Sequence, residues 1–477
     1  MVFTSLNFLL FFPAVILLFY ITPIKYRWAT LLIASYFFYL NIEPVFGLLT
    51  AIITLSTYFF TRLIDKVNDD KTKSKYMYLN IAIVLLPLFF FKYFTAINDG
   101  IFNILDLYEI RWVLPKITFL LPVGISFYTF MAIGYTIDVY NEEVEAEKNI
   151  GIVALFISFF PLILSGPIER AKNMIPQFKS DLKLNPANFS IGLKLMLWGY
   201  FMKLVVADRL AIYVDAVYGN LAHHNGDTIL FTSLLYPIQV YADLGGYSLI
   251  AIGVSKILGL DVMHNFNRPF FATSMAEFWR RWHMSLITWL TDYVYTPLAF
   301  SFRRYGVSGI VLALMVTFVL SGVWHGATLN FVVWGVLQGV FLSIEALMNK
   351  RKTKMENRYS LKSNFLYVAF SIGLTYFLFS ISQVFGRAVT FEDSIIVFEK
   401  VILERGSLFL DKTTLAYASI GIFMLLLSDF RDEYFPKKML LFNNKHFVIR
   451  LGSYLCVALL ILWIGILNGG QFIYFKF

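Results

Sequence analysis

The chain has 477 residues and a net charge of +9, with 58% apolar and only 15% charged residues. Soluble domains carry about 25% charged residues, so this composition excludes the roughly three water-soluble domains that length alone would suggest. A single cysteine, Cys456, excludes a disulfide framework or cysteine-ligated zinc within one chain, and no basic stripe or motif for nucleic acid accompanies the positive charge.

A membrane-spanning helix takes about 20 mostly apolar residues. The first apolar run has no basic segment before it and no small-residue cleavage site after it, so it reads as a retained membrane helix and not as a signal peptide. In chain order, spans are expected at 9–22, 29–42, 46–61, 78–94, 117–137, 151–168, 191–206, 229–241 and 244–254. Two more fall within 305–344, followed by 365–383, 415–427 and 454–467. Some are short enough to be tilted, buried or re-entrant, and about 11 to 13 membrane-embedded helices are expected in all. The fold class is therefore an all-α polytopic membrane protein.

Loop charge orients the chain. Arg62, Lys66, Lys71, Lys73 and Lys75 crowd one loop, which belongs on the cytoplasmic side. Counting back places Lys25 and Arg27 inside and the N-terminus outside. Lys350, Arg351, Lys352, Lys354, Arg358 and Lys362 mark another inner loop, and Arg431, Lys437, Lys438, Lys445 and Arg450 a third. The segment 386–412 is balanced in charge and is expected outside.

Polar residues gather in the middle of the chain. Ser165-Gly166-Pro167-Ile168-Glu169-Arg170 ends one apolar run, and Asp243, Gly245 and Gly246 interrupt another. Irregular backbone at membrane depth needs protein or a water-filled cavity around it; alternatively, Asp243 caps the helix that follows. Asn265, Asn267, Arg268 and Pro269 form a break. Ser274 then precedes Glu277 at capping-box spacing, so a helix is expected from about Met275. It would carry Trp279, Arg280, Arg281, Trp282, His283 and Trp289, with Trp279 and His283 on one face. Such a helix suits the lipid–water boundary, and its arginines also suit a basic mouth for an anionic ligand.

The 40 residues from Tyr305 to Ile344 contain no Asp, Glu, Lys or Arg. As one helix they would extend about 60 Å, about twice the hydrocarbon thickness, so they fold back as two helices. The turn is expected around Ser321 to Thr328, which places His325 beside Trp324 at a bend flanked by Gly322 and Gly326. An ionisable residue there is a functional candidate; the other reading is an imidazole satisfied by a carbonyl and used in packing. Small neighbours let a substrate or another backbone approach it closely. His223, His224 and His446 fall in polar loops, and His264 adjoins the Asn-rich break. No zinc-binding His-Glu-x-x-His, P-loop, dinucleotide fingerprint or Gly-x-Ser-x-Gly elbow is present.

Four blocks resemble the membrane-bound O-acyltransferase family, in particular its alginate O-acetyltransferase-like branch. They are Leu121-Pro122-Val123-Gly124-Ile125-Ser126-Phe127; Ser165-Gly166-Pro167-Ile168; Asp243 to Ser248; and Asn265 through Phe278-Trp279-Arg280-Arg281-Trp282-His283 into Trp324-His325-Gly326-Ala327. The 42 positions from His283 to His325 fit the same pattern. The resemblance covers nearly the whole chain. It implies one multi-pass domain, with N-terminal helices at 1–110, a motif-bearing core at 111–349 and C-terminal helices at 350–477, arranged around a central funnel or tunnel. It places the family's catalytic histidine at His325 and its second histidine, also expected to be catalytic, at His283. Trp324, Asp243, Asn265, Arg280, Arg281 and Trp282 become candidates for binding substrate or donor.

The resemblance further implies a bacterial plasma-membrane enzyme with acetyl-CoA as donor substrate, no metal and no permanently bound cofactor. Its acceptor would be an exported polysaccharide, reached with an extracytoplasmic acyltransferase partner. Other readings of the same sequence are a D-alanyl transferase acting on teichoic acid, a transporter or flippase for a lipid-linked sugar, and a scaffold for polysaccharide export. Transporters often carry inverted repeats with broken helices in both halves; here the anomalies concentrate in the middle.

Overall fold

The computed structural model describes residues 1–42, 44–108, 122–164, 166–436 and 441–467, all of whose regular structure is helical. The start of the span expected at 117–137, Leu121, Ser165, Lys437 and Lys438 lie outside the described residues. Among the described residues, eight helical segments are long and apolar enough to cross a membrane: Pro44–Lys66, Asp70–Thr95, Pro186–Tyr218, Val307–His325, Leu329–Arg358, Phe365–Arg387, Lys412–Tyr434 and Phe447–Ile464. Large apolar side chains stay exposed along them, including Phe365, Leu366, Val448 and Trp463. In water such a surface would aggregate; in a bilayer it meets lipid. The chain is thus an all-α polytopic membrane protein.

The fold divides into two compact units, Met1–Leu193 with Ala251–Met263, and Lys194–Ile250 with His264–Phe477. The first contains α1 (Leu6–Ile21), α2 (Arg27–Leu40), α3 (Pro44–Lys66), α4 (Asp70–Leu107), α5 (Ile125–Tyr140), α6 (Ile150–Ser158), α7 (Phe160–Ile163) and α8 (Ala171–Lys179). Its apolar helices are cross-linked by the few polar side chains they carry. Asn80 on α4 accepts from Ser56 on α3 at 2.6 Å and donates to Thr136 on α5 at 2.7 Å. Glu169 is buried and accepts from the backbone N–H of Met263 and from Asn173 Nδ2, at 2.9 Å for the latter. The cluster around Glu169 read from sequence is thus a latch within this unit.

The helix α9 (Pro186–Tyr200) runs through a π-helical turn, Phe201–Ala207, into α10 (Asp208–Tyr218), and α11 (Gly226–Ile257) follows. Small residues repeat at a seven-residue interval along both α9 and α11. A Cβ on Gly192 would lie 2.5 Å from the Gly253 carbonyl oxygen, and one on Gly199 would lie 2.6 Å from that of Gly246. The backbones touch at these positions, the packing that small residues allow between membrane helices. This corrects the expectation of an interruption at Asp243 to Ser248: α11 is one helix of 32 residues. Gly245 and Gly246 serve contact rather than a break, and Asp243 sits mid-helix rather than at a cap.

The second unit continues with α12 (Met275–Arg281), α13 (Met284–Leu290), α14 (Thr296–Ser301), α15 (Val307–His325), α16 (Leu329–Arg358), α17 (Phe365–Arg387), α18 (Phe391–Leu403), α19 (Lys412–Tyr434) and α20 (Phe447–Ile464). The uncharged run does fold back on itself, with Gly326 to Thr328 between α15 and α16. Glycine again sets the spacing: a Cβ on Gly322 would collide with the Phe331 carbonyl and approach Gly335 Cα to 3.1 Å. Gly322 admits the partner helix backbone, and Gly326 admits the Phe331 ring. In the segment 386–412, α18 opens with a capping box between Thr390 and Asp393.

Candidate active site

The α15–α16 hairpin positions His325. It is the last residue of α15, half-buried, with the Gly326 N–H closing the helix onto the Gly322 carbonyl at 3.2 Å. Aromatic rings wall the imidazole. Trp324 stands edge-on at 4.6 Å between ring centroids, Trp334 edge-on at 5.0 Å, and Phe331 nearly parallel at 6.3 Å. Such rings exclude water while leaving a planar ring room to accept or donate at its edge.

This wall is tied to two further helices. Trp279 on α12 stands 5.8 Å from Trp334 and 5.2 Å from Phe318. Its indole N–H donates to Gln338 Oε1 at 3.2 Å, and Gln338 Nε2 donates to Ser382 on α17 at 2.6 Å. Gln338 is fully buried. Trp334 and Gln338 are four apart on α16 and share a face. Sequence reasoning missed both, although a lone amide and a tryptophan on one face of an uncharged run are a usable signal.

His283 does not lie on a continuous helix with Trp279, contrary to expectation. Ser274 does cap α12, accepting from the Glu277 N–H at 3.2 Å, but α12 ends at Arg281. His283 then adopts left-handed backbone angles, φ 44° and ψ 49°, before α13 begins. A non-glycine residue holds that conformation only when its surroundings impose it. Asn265 does so. Its carbonyl accepts from the Met284 N–H at 2.8 Å, and its Oδ1 accepts from Ser285 Oγ at 2.9 Å. Its Nδ2 donates to Ser248 Oγ on α11 at 3.0 Å. Two residues on, the Asn267 N–H donates to the Arg281 carbonyl at 2.8 Å. The His283 ring is fully buried beside Phe266, at 6.3 Å. Burial pushes its pKa down to about 3.

The three tryptophans are not a lipid-boundary belt: Trp279, Trp282 and Trp289 are all buried. Trp282 stacks on Phe278 at 5.3 Å and faces Phe379 at 5.0 Å, because the turn after α12 rotates it inward. The two arginines part company. Arg281 makes a bidentate pair with Glu433, both bonds at 3.0 Å, and a third bond to Glu277 at 2.7 Å. Arg280 is exposed. Asp243 pairs with Lys203 at 2.6 Å, and Lys203 pairs with Asp208 at 2.8 Å, all three almost wholly buried. The Lys203 ammonium also lies over the Tyr247 ring, 5.3 Å from its centroid. Of the remaining histidines, His223, His264 and His446 are exposed, and His224 is half-buried against Phe409 at 4.9 Å. Among the described residues no group of three His, Cys, Asp or Glu side chains could hold a metal ion.

A half-buried imidazole at a hairpin turn, set within a wall of aromatic rings in a polytopic helical protein, is the candidate site of a membrane enzyme. Residues 149–385, which include His283, His325, Trp334 and Gln338, match the membrane-bound O-acyltransferase family. The chain is 36% identical over 348 residues to the probable alginate O-acetylase AlgI of Pseudomonas putida, covering 72% of this chain and 70% of that protein. It is 31% identical over 349 residues to the peptidoglycan O-acetyltransferase of Helicobacter pylori, covering 66% and 63%. It is 30% identical over 295 residues to the teichoic acid D-alanyltransferase of Streptococcus thermophilus, covering 59% and 66%. The chain belongs to the membrane-bound O-acyltransferase family, and its activity is acyl transfer.

Proposed function

We propose that this protein moves an acetyl group from cytosolic acetyl-CoA toward hydroxyls of an exported cell-surface polysaccharide, with His325 as general base. The observation that carries the reading is the aromatic-walled imidazole at the end of α15, inside the region that matches the family. A hydroxyl is a poor nucleophile at neutral pH, and a positioned imidazole accelerates its attack by about 10²–10⁴-fold. The carbonyl-bearing C-terminus of α15 favours the cation that a base becomes. His283, held by Asn265, shapes the neighbouring wall. Arg280 is the exposed cation that attracts the coenzyme A phosphates; Arg281 is already committed to Glu277 and Glu433.

The polymer lies outside the bacterial plasma membrane and the donor inside it, so the acetyl group and not the donor crosses, through a funnel or tunnel that reaches His325. An extracytoplasmic acyltransferase partner completes delivery. Acetyl rather than D-alanyl transfer is favoured by the longer and more identical match to the alginate protein, and family membership favours either over a flippase or a scaffold.

The test is thioester consumption. Purified wild-type protein is expected to hydrolyse or transfer from acetyl-CoA, and His325→Ala to insert normally with that activity lowered by at least about 10²-fold. Activity retained in His325→Ala removes the residue from the role of base. Activity with a D-alanyl thioester but not with acetyl-CoA replaces the donor.

A further inference from the structure

Attack on a thioester places negative charge on the carbonyl oxygen, and a water-poor site must hold a donor for it in advance. The hairpin turn beside His325 is the obvious source of backbone donors, but the Gly326 N–H is engaged by the Gly322 carbonyl at 3.2 Å. A different donor lies next to the imidazole. The Trp334 side chain is 5% exposed, and its ring centroid is 5.0 Å from that of His325. Its Nε1 is buried and has no hydrogen-bond acceptor among the described residues. The contrast with its neighbour is informative: Trp279 Nε1 donates to Gln338. Buried indole N–H groups usually find a partner, and leaving one unmade is costly. An acceptor supplied by substrate would complete that pairing. The ring is also held in advance, with Trp279 edge-on at 5.8 Å on the same side chain.

We propose that Trp334 donates a hydrogen bond from Nε1 to the carbonyl oxygen of the acyl thioester, and more strongly to the oxyanion that forms from it. The assignment rests on His325 acting as base toward such a thioester. In the first step the acceptor hydroxyl oxygen bonds to the acyl carbon, its proton passes to the imidazole, and the carbonyl π pair moves onto oxygen. In the second, that pair re-forms the carbonyl, the carbon–sulfur bond breaks with its electrons on sulfur, and the imidazolium proton goes to the thiolate. Trp334 keeps its own proton throughout and stabilises the charge between the two steps.

Trp334→Phe retains a buried ring and removes the donor. The expected result is a fall in kcat of about 10²–10³-fold, with KM for acetyl-CoA and the melting temperature in detergent unchanged. Site-specific replacement by 3-benzothienylalanine keeps the bicyclic shape and puts sulfur where the N–H was, and it is expected to show the same loss. Wild-type kcat in either variant overturns the assignment, as does a loss that appears in Trp334→Phe and is absent from the isostere, which would mark packing alone. His325→Ala is assayed alongside. If it is inactive while both Trp334 variants are normal, only the Trp334 role falls; if it keeps full activity, the general-base reading falls by itself.

Discussion

His283 shows how far one residue can be read before its neighbours are known. Its type and its distance from His325 are visible in the sequence, but helical spacing put it on a face shared with Trp279. The backbone is left-handed there instead, and Asn265 imposes that turn by bonding across it to Met284 and Ser285. The partner lies 18 positions upstream, so no local pattern encodes the latch. Complete burial holds the imidazole at a pKa of about 3, whereas a histidine in an unfolded chain titrates near about 6.5. Between these values the unfolded chain binds a proton that the folded one refuses. Stability from this group is therefore full above about pH 6.5 and is lost as the pH falls toward 3. Melting temperatures of the purified protein are expected to drop across that window more steeply than those of His283→Gln. Parallel curves for the two proteins would show that this ring is not the group responsible.

At the scale of elements, length and charge were decisive where a segment had only itself to answer to. Forty uncharged residues cannot make one helix across a bilayer, and the hairpin of α15 and α16 follows. The same reasoning failed at Asp243, where an acidic side chain and two glycines looked like a break. The charge is matched by Lys203 on the π-helical turn, and the glycines admit a neighbouring backbone; neither fact is visible along α11 alone. Removing one partner of a buried ion pair costs about 3–5 kcal/mol. Lys203→Met leaves Asp208 and Asp243 buried without a cation, and is expected to destabilise the folded protein by about that amount, read as a lower melting temperature and poorer membrane yield. Asp243→Asn, which leaves Lys203 its bond to Asp208, is expected to cost less. Equal effects of the two variants would show that the three groups do not act as one cluster.

At the scale of the whole molecule, the uneven placement of Lys and Arg sets orientation. The loop carrying Lys71 is expected in the cytoplasm and the segment carrying Ser407 outside. Cys456 is the sole cysteine and is exposed, so a Cys456→Ser background permits single-site labelling. A membrane-impermeant maleimide applied to whole cells is expected to label Ser407→Cys, and to label Lys71→Cys only after permeabilisation. Labelling of Lys71→Cys in unbroken cells would invert the topology.

The sequence by itself determined that the chain is a helical membrane protein, where its hairpin turns, and which histidine stands at that turn. These follow from transfer free energy and charge, which sum along a segment without reference to its neighbours. Only the tertiary structure decided that Arg281 answers to Glu277 and Glu433, that three tryptophans face inward, and that Trp334 and Gln338 belong to the wall around His325. Glu277 lies one helical turn from Arg281, but Glu433 is 152 positions away and Gln338 is 59 from Trp279, and a buried polar group takes its meaning from whichever partner the fold brings to it.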